Sequence, residues 1–176
     1  MIFLLVMMTA ACTRAASQSQ PTEPALNFPT LSPNEVPLCQ PADLQTSSNS
    51  NGDASGVVMG MTLTNQSKQI CKLSNPPQTR LLDASNKPLE LVGVDTAPAM
   101  TPPASDVMQI APGENTIVTL VWQNYCQPAP VEPVIVRLEL EKDQNLDIAI
   151  HLSTVPGCQD KKKPSTISVA PYSAPP

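Results

Sequence analysis

Proline limits the folds open to this chain more than any other residue, because it occupies 21 of the 176 positions. Inside a helix, proline removes a backbone hydrogen bond and its ring clashes with the preceding turn. Only 14% of the residues are charged and six are glycine, a composition that also argues against helices as the main element. We therefore expect short strands that are joined by turns.

Several segments alternate hydrophobic residues with polar or small ones, which is typical of strands with one buried face. The residues in phase are Val57, Met59, Met61 and Leu63, then Val134, Val136, Leu138 and Leu140, then Leu146, Ile148 and Ile150. Residues 79–82 and 89–92 flank a polar turn and predict a hairpin, and 167–169 predict a last edge strand. Seven to nine such strands predict an all-β fold, a single antiparallel β-sandwich with an aliphatic core around Trp122.

Five cysteines divide into one near the N-terminus, Cys12, and four spread along the rest of the chain, Cys39, Cys71, Cys126 and Cys158. An even number in an exported chain predicts two disulfides, whereas a metal site would need closely spaced pairs such as C-x-x-C. Three pairings remain open. We favour neighbour pairing, Cys39 with Cys71 and Cys126 with Cys158, which closes two loops of equal span.

The N-terminal segment predicts export. Apolar residues 2–8 give way to Thr9-Ala10-Ala11-Cys12, and the run is too short to cross a membrane. A cysteine directly after Ala-Ala resembles the bacterial lipoprotein signal, in which that cysteine is acylated. Thr9 stands where that signal normally has Leu, Val or Ile, and the usual preceding charge is missing. An ordinary signal peptide is therefore the alternative, and a start upstream of Met1 remains open.

Composition divides the chain into four segments. Residues 1–11 are expected to be the signal peptide, and 12–38 a lipidated N-terminus with a linker rich in Pro and Ser. Residues 39–170 are expected to form the β-sandwich, and 171–176 a disordered tail rich in proline.

A set of motifs points to a known family. Cys39 and Leu44 precede Met61-Thr62-Leu63-Thr64-Asn65-Gln66-Ser67, followed by Cys71-Lys72-Leu73 and Pro76-Pro77. Gln109-Ile110-Ala111-Pro112-Gly113-Glu114 then leads through Leu120-Val121-Trp122 to Cys126. In this order they resemble the bacterial domain of unknown function 4232 of secreted proteins and lipoproteins, over about residues 39–160. The resemblance implies an extracytoplasmic immunoglobulin-like domain and assigns no catalytic residues.

No catalytic or metal-binding set can be assembled from the sequence. His151 is the single histidine, and Asp147 lies four residues before it on the same strand face, about 13 Å away and too far for a triad that also needs Ser153. Asp143-x-Asn145-x-Asp147 begins like a calcium loop but lacks the later Gly and Glu. The segment 49–53 is predicted to be a turn. We expect no enzyme activity, no cofactor and no bound metal.

The expected function is therefore non-catalytic. We predict a monomer that is held at the cell membrane through Cys12 and contacts a protein or wall polymer, with the loop 93–106 as a contact surface. With a net charge of −5, nucleic acid is not an expected partner. The alternative is a carrier of a small molecule or of Cu(I), which requires Met59 and Met61 to face a pocket or the surface. Their phase with Leu63 instead predicts that both are core residues.

Overall fold

A computed structural model describes residues 35–174 except 75, 90, 92–93, 97–105 and 142–143. Within this part of the chain the fold is all-β, with one short 3-10 turn at Pro41–Asp43. There are ten strands, one more than the upper limit predicted: β1 (Leu44–Asp53), β2 (Gly56–Asn65), β3 (Cys71–Ser74), β4 (Gln78–Leu82), β5 (Val94–Thr96), β6 (Val107–Ile110), β7 (Asn115–Gln123), β8 (Val134–Glu141), β9 (Gln144–Ile150) and β10 (Thr166–Val169).

The strands form three sheets. The first has five strands in the order β1-β2-β7-β10-β5, the second consists of β3 and β6, and the third has the order β4-β8-β9. Every pair is antiparallel except β10 with β5. The predicted antiparallel β-sandwich is confirmed.

Alternating hydrophobic residues build the core. In β2, β7 and β8 every second side chain is buried, as the period-two pattern predicts. Trp122 is fully buried, and its ring meets that of Tyr125 edge to face with centroids 4.8 Å apart. Its Nε1 donates a hydrogen bond of 3.0 Å to Ser165 Oγ, so the one polar atom of the indole is satisfied inside the core.

Two disulfides join segments that are distant in the sequence. Cys39 is bonded to Cys71 and Cys126 to Cys158, each across 32 residues, so the neighbour pairing favoured from the sequence is confirmed. Disulfides of this kind form in oxidising compartments, which indicates an extracytoplasmic environment for the domain.

One sequence prediction was wrong at β1. Its residues 49–53 were expected to be a turn, but β1 pairs with β2 over ten residues and the turn comes after Asp53. The strand tolerates polar residues because it lies at the edge of its sheet. Its serine hydroxyls there donate hydrogen bonds to the end of β9, which is the edge strand of the β4-β8-β9 sheet. Ser48 Oγ donates to the carbonyl of Ala149 at 3.1 Å, and Ser50 Oγ donates to that of His151 at 3.0 Å.

The predicted hairpin was only half right. Residues 83–87 do form a turn, and after it a bridge joins Leu82 to Pro88 and the N–H of Leu89 donates to the carbonyl of Leu81 at 2.9 Å. The described residues 89 and 91 are not in a strand, and β4 has its strand partner in β8. The predicted last edge strand, β10, is also not an edge, because β5 lies beyond it.

The fold extends past both predicted limits of the domain. Val36 is buried ahead of Cys39, and Tyr172 is buried near the C-terminal end. Ser173 exchanges two backbone hydrogen bonds with Ile117, of 2.9 and 3.0 Å. Residues 171–173 therefore pack against the sandwich. Cys12, the signal segment, nearly all of the linker and most of the 93–106 loop lie outside the described residues.

Candidate functional site

The outer face of the β4-β8-β9 sheet carries two rows of polar side chains. Because residues paired across strands share a face, the register places Arg80, Arg137 and Asp147 side by side, and we call them the arginine row. The next row along the strands, the amide row, consists of Gln78, Glu139 and Asn145. Their chain neighbours point to the opposite face and are buried, except Gln144, which is half-buried, and this fixes these six side chains on the outside.

A bidentate ion pair holds one end of the arginine row. Arg137 Nε donates to Asp147 Oδ1 at 2.7 Å, and its Nη2 donates to Asp147 Oδ2 at 2.6 Å. Asn86 Oδ1 accepts a longer bond of 3.4 Å from the same Nη2. The guanidinium lowers the pKa of Asp147 chiefly through these hydrogen bonds, and the carboxylate raises that of Arg137. This pair orients the Arg137 side chain.

Arg80 at the other end of the row has no counter-ion among the described residues. It lies directly opposite Arg137, with Cβ atoms about 5 Å apart in such pairs, and like charges in this position repel. Both oxygens of Asp147 are already bound to Arg137. Over the part of the chain that the structure describes, no carboxylate lies within ion-pair distance of the Arg80 guanidinium. The row therefore keeps one exposed cation with which no described carboxylate forms an ion pair.

The two rows line a shallow depression of about 220 Å³, to which Gln78, Thr79, Arg80, Arg137, Glu139 and Asn145 contribute. Five of these residues belong to the two rows, and the sixth, Thr79, is the buried residue of β4 between Gln78 and Arg80. All six are polar. This site was not predicted from the sequence, although the strand alternation indicates that Arg80 beside Leu81 and Arg137 beside Leu138 are exposed. What the sequence lacked was the register that sets the two arginines opposite each other.

A second depression, also about 220 Å³, has a mixed lining. It lies between the turn that includes Asp83 and Lys87 and the proline-rich segment 127–131. Leu89 and Val131 contribute apolar surface, and Val131 is 58% exposed. Asp83 and Lys87 bring one charge of each sign to this lining but form no side-chain ion pair, and no arginine contributes to it.

Among the described residues, those considered from the sequence as catalytic or calcium-binding candidates do not come together in one site. The side chain of His151 is exposed, and Asp147 is bound to Arg137. Asp53 accepts two hydrogen bonds from Ser55 at the β1–β2 turn, which lower the pKa of its carboxyl group. Asn145 and Asp147 lie in β9, whereas Asp143 is outside the described residues.

Methionine and metal ligands give a similar result. Met59 and Met61 are fully buried in the core, as their phase with Leu63 predicts. Among the described residues, no three His, Cys, Asp or Glu side chains come close enough together to hold a metal ion.

The motif residues noted in the sequence meet in space around Asn65. This residue is fully buried, and its Nδ2 donates to the carbonyls of Ile110 at 2.9 Å and Gln69 at 2.8 Å. Its backbone carbonyl accepts from the N–H of Gly113 at 2.8 Å. Gly113 has a φ of 78°, a conformation that favours glycine. The asparagine and the Pro-Gly turn are therefore two halves of one structural unit.

Cys71, Leu73 and Trp122 are buried as well. The motifs thus describe how the sandwich is held together, and none of them contributes a side chain to the arginine row.

Comparison with known families agrees with this set of motifs. The model of the domain of unknown function DUF4232 matches residues 39–172. The chain belongs to the DUF4232 family. No curated protein and no solved structure matches it. The match covers both disulfides of this DUF4232 domain and all ten strands. Over the described residues, no helix is long and apolar enough to span a membrane.

Proposed function

We propose that this protein is a cell-envelope lipoprotein that displays its DUF4232 domain as a non-catalytic binding module. In this proposal Cys12 carries the lipid, residues 12–38 hold the domain off the membrane, and the monomeric domain contacts a protein or wall polymer. The two disulfides support an extracytoplasmic location. The observation that carries the binding role is the polar depression on the β4-β8-β9 sheet, with the unneutralised guanidinium of Arg80 at its edge.

A non-catalytic role agrees with the chemistry of the described side chains. The single histidine, His151, is exposed on a strand end, and its nearest sequence candidate for an orienting carboxylate, Asp147, is bound to Arg137. A catalytic acid or base needs a pKa adjusted towards the working pH, and Arg137 moves the pKa of Asp147 the other way.

The alternative function, a Cu(I) or small-molecule carrier, requires Met59 and Met61 at a pocket or surface. Both side chains have no solvent-exposed area and pack among core residues. A copper ion would have to break that packing to reach the two sulfur atoms. The binding-module proposal is therefore the better supported of the two.

Two measurements test the proposal. Cell fractionation with Cys12→Ala tests the anchor, since loss of the acylated cysteine should move the protein from the membrane to a soluble fraction. Thermal unfolding of the full chain with Cu(I), Zn(II), Ca(II), peptidoglycan fragments and glycans tests binding. A ligand at 100 times its Kd stabilises by about 2.7 kcal/mol, which is on the order of 10 °C for a domain of this size.

Membrane retention of Cys12→Ala would overturn the lipid anchor. A higher unfolding temperature with Cu(I) alone would favour the carrier function over the binding module. A shift with peptidoglycan or a glycan would support a wall-polymer partner, and an unchanged midpoint with every ligand would contradict that version of the proposal.

A further inference from the structure

Two of the three side chains of the arginine row are guanidiniums, which are donors suited to an oxyanion, and the third is the carboxylate of Asp147. Arg137 is held in place by Asp147, which uses its Nε and Nη2 and leaves Nη1 without a partner among the described residues. The guanidinium of Arg80 stands beside it with no counter-ion over the same part of the chain. An anion bound between the two guanidiniums would remove the repulsion that their cross-strand position creates.

The amide row supplies a different kind of contact about 7 Å further along the strands, the length of two strand residues. Gln78 and Asn145 each offer amide donors and a carbonyl acceptor, and Glu139 between them offers acceptors. Such groups suit hydroxyls, which both donate and accept. A ligand that spans both rows therefore carries an anionic group at one end and hydroxyl groups at the other.

A peptide fits this face less well than a sugar does. No apolar side chain lines the depression, so there is no place to bury the side chains of a peptide. The strand that runs through the middle of the face, β8, is paired on both sides, so its backbone cannot take up an added strand. The remaining contacts are side-chain hydrogen bonds and charge, which suit a hydroxyl-rich ligand.

We propose that the β4-β8-β9 face binds an acidic saccharide, with its carboxylate or phosphate between Arg80 and Arg137 and its hydroxyls on the amide row. This rests on the proposed binding function and names the ligand class for it. Three probes represent the possible ligands. Trigalacturonate is the saccharide with carboxylates, and glucose 1-phosphate is the one with a phosphate. A neutral galactose trisaccharide offers hydroxyls without a charge.

The test is a titration of the full chain, labelled with ¹⁵N, with each of the three probes. Trigalacturonate or glucose 1-phosphate should shift the backbone amides of β4, β8 and β9, and the stronger of the two identifies the anion. The neutral trisaccharide should bind at least tenfold more weakly. Arg80→Gln should weaken the binding of the acidic probe at least tenfold, and Gln78→Ala should weaken that binding by a smaller factor.

Lys68→Gln is the matched control, since it removes the same charge from an exposed position in the β2–β3 turn. It should bind as the wild type does. Arg80→Gln should also unfold at a temperature equal to or higher than the wild type, because it removes a like-charge contact. A higher midpoint together with lost binding would show that Arg80 is retained for a ligand at a cost in stability.

Three results would overturn the site. They are equal binding of the neutral trisaccharide, wild-type affinity in Arg80→Gln, and no response to either acidic probe. If shifts appear instead around 127–131, the saccharide site is wrong but the binding function stands. If neither acidic probe nor any envelope ligand of the unfolding screen binds, the wall-polymer version of the function fails together with the site.

Discussion

Asn65 Nδ2 donates a hydrogen bond of 2.9 Å to the carbonyl oxygen of Ile110, which joins the end of β2 in one sheet to the end of β6 in another. The Asn65 side chain is fully buried, so neither its amide nor that carbonyl can turn to water instead. The oxygen of the same side-chain amide, Oδ1, accepts a hydrogen bond of 2.9 Å from the N–H of Ser67 and so shapes the turn that follows β2. One side chain thus connects two sheets and a turn.

We predict that Asn65→Ala destabilises the domain by about 2 to 4 kcal/mol, because one buried and two partly buried backbone hydrogen bonds lose their side-chain partner. Asn65→Asp is the matched variant. It keeps an acceptor for the N–H of Ser67 but replaces the donor that serves two carbonyls. At neutral pH it should therefore lower the free energy of unfolding at least as much as Asn65→Ala does. Urea unfolding checks both changes. A loss below about 0.5 kcal/mol would be the size of a surface substitution and would contradict this assignment.

Asn124 plays a comparable part in the loop 158–164. Its Nδ2 donates to the carbonyls of Asp160, Lys163 and Pro164, and its Oδ1 accepts from the N–H groups of Gln159 and Asp160. The residue also has a φ of 53°, in the left-handed region that asparagine tolerates. The side chain and the backbone conformation therefore both depend on this residue type.

We predict that Asn124→Gly and Asn124→Ala both destabilise the domain, since each removes the side-chain hydrogen bonds. The alanine variant should be worse by about 1 kcal/mol, because only glycine takes up a positive φ without a steric cost. Urea unfolding of the pair separates the two effects. Equal stability of the two variants would mean that the left-handed conformation is not maintained once the side chain is gone.

The two disulfides close loops of equal sequence separation but differ in exposure. Cys39 and Cys71 are buried, whereas Cys126 is half-buried and Cys158 is exposed. We predict that mild reductant under native conditions opens Cys126–Cys158 first, because an attacking thiolate must reach the sulfur. Mass spectrometry after alkylation identifies the opened pair. Simultaneous opening of both pairs would contradict this order and indicate that reduction follows global unfolding.

Much of the fold could be predicted from the sequence because its interior strands bury one face. In β2 the alternation of Val57, Met59 and Met61 is regular, and only one register puts all three in the core. The same period predicted β8 and β9. β1 could not be predicted in this way, because it lies at an edge and its residues from Gln45 to Asp53 are polar on both faces.

The candidate site depends on register, which no single strand reveals. Arg80 lies in β4 and Arg137 in β8, 57 residues further along, and the two become neighbours only through strand pairing. The hydrogen bond between Asn65 and Ile110 is hidden for the same reason, although the motif containing each residue was visible. The order of the motifs along the sequence indicated the family. The contacts between them in the structure show which strands and turns each motif joins.

The ion pair between Arg137 and Asp147 predicts a dependence of stability on pH. Hydrogen bonds from Arg137 lower the pKa of Asp147 below its ordinary value of 3.8. A group whose pKa is lowered by folding stabilises the fold above its unfolded pKa and loses that contribution as the pH falls through the folded pKa. The contribution should therefore be complete above about pH 4.5 and disappear at lower pH.

Asp147→Asn tests this in urea unfolding series between pH 2.5 and pH 7. Because the pair is partly exposed, we expect a loss of about 0.2 to 1 kcal/mol at neutral pH, which shrinks below pH 4 as the wild type protonates Asp147. The double variant Arg80→Gln with Asp147→Asn should recover part of this loss, since it also removes the repulsion between Arg80 and Arg137. A loss that stays constant down to pH 2.5 would show that packing of Asp147, and not its charge, is what the substitution removes.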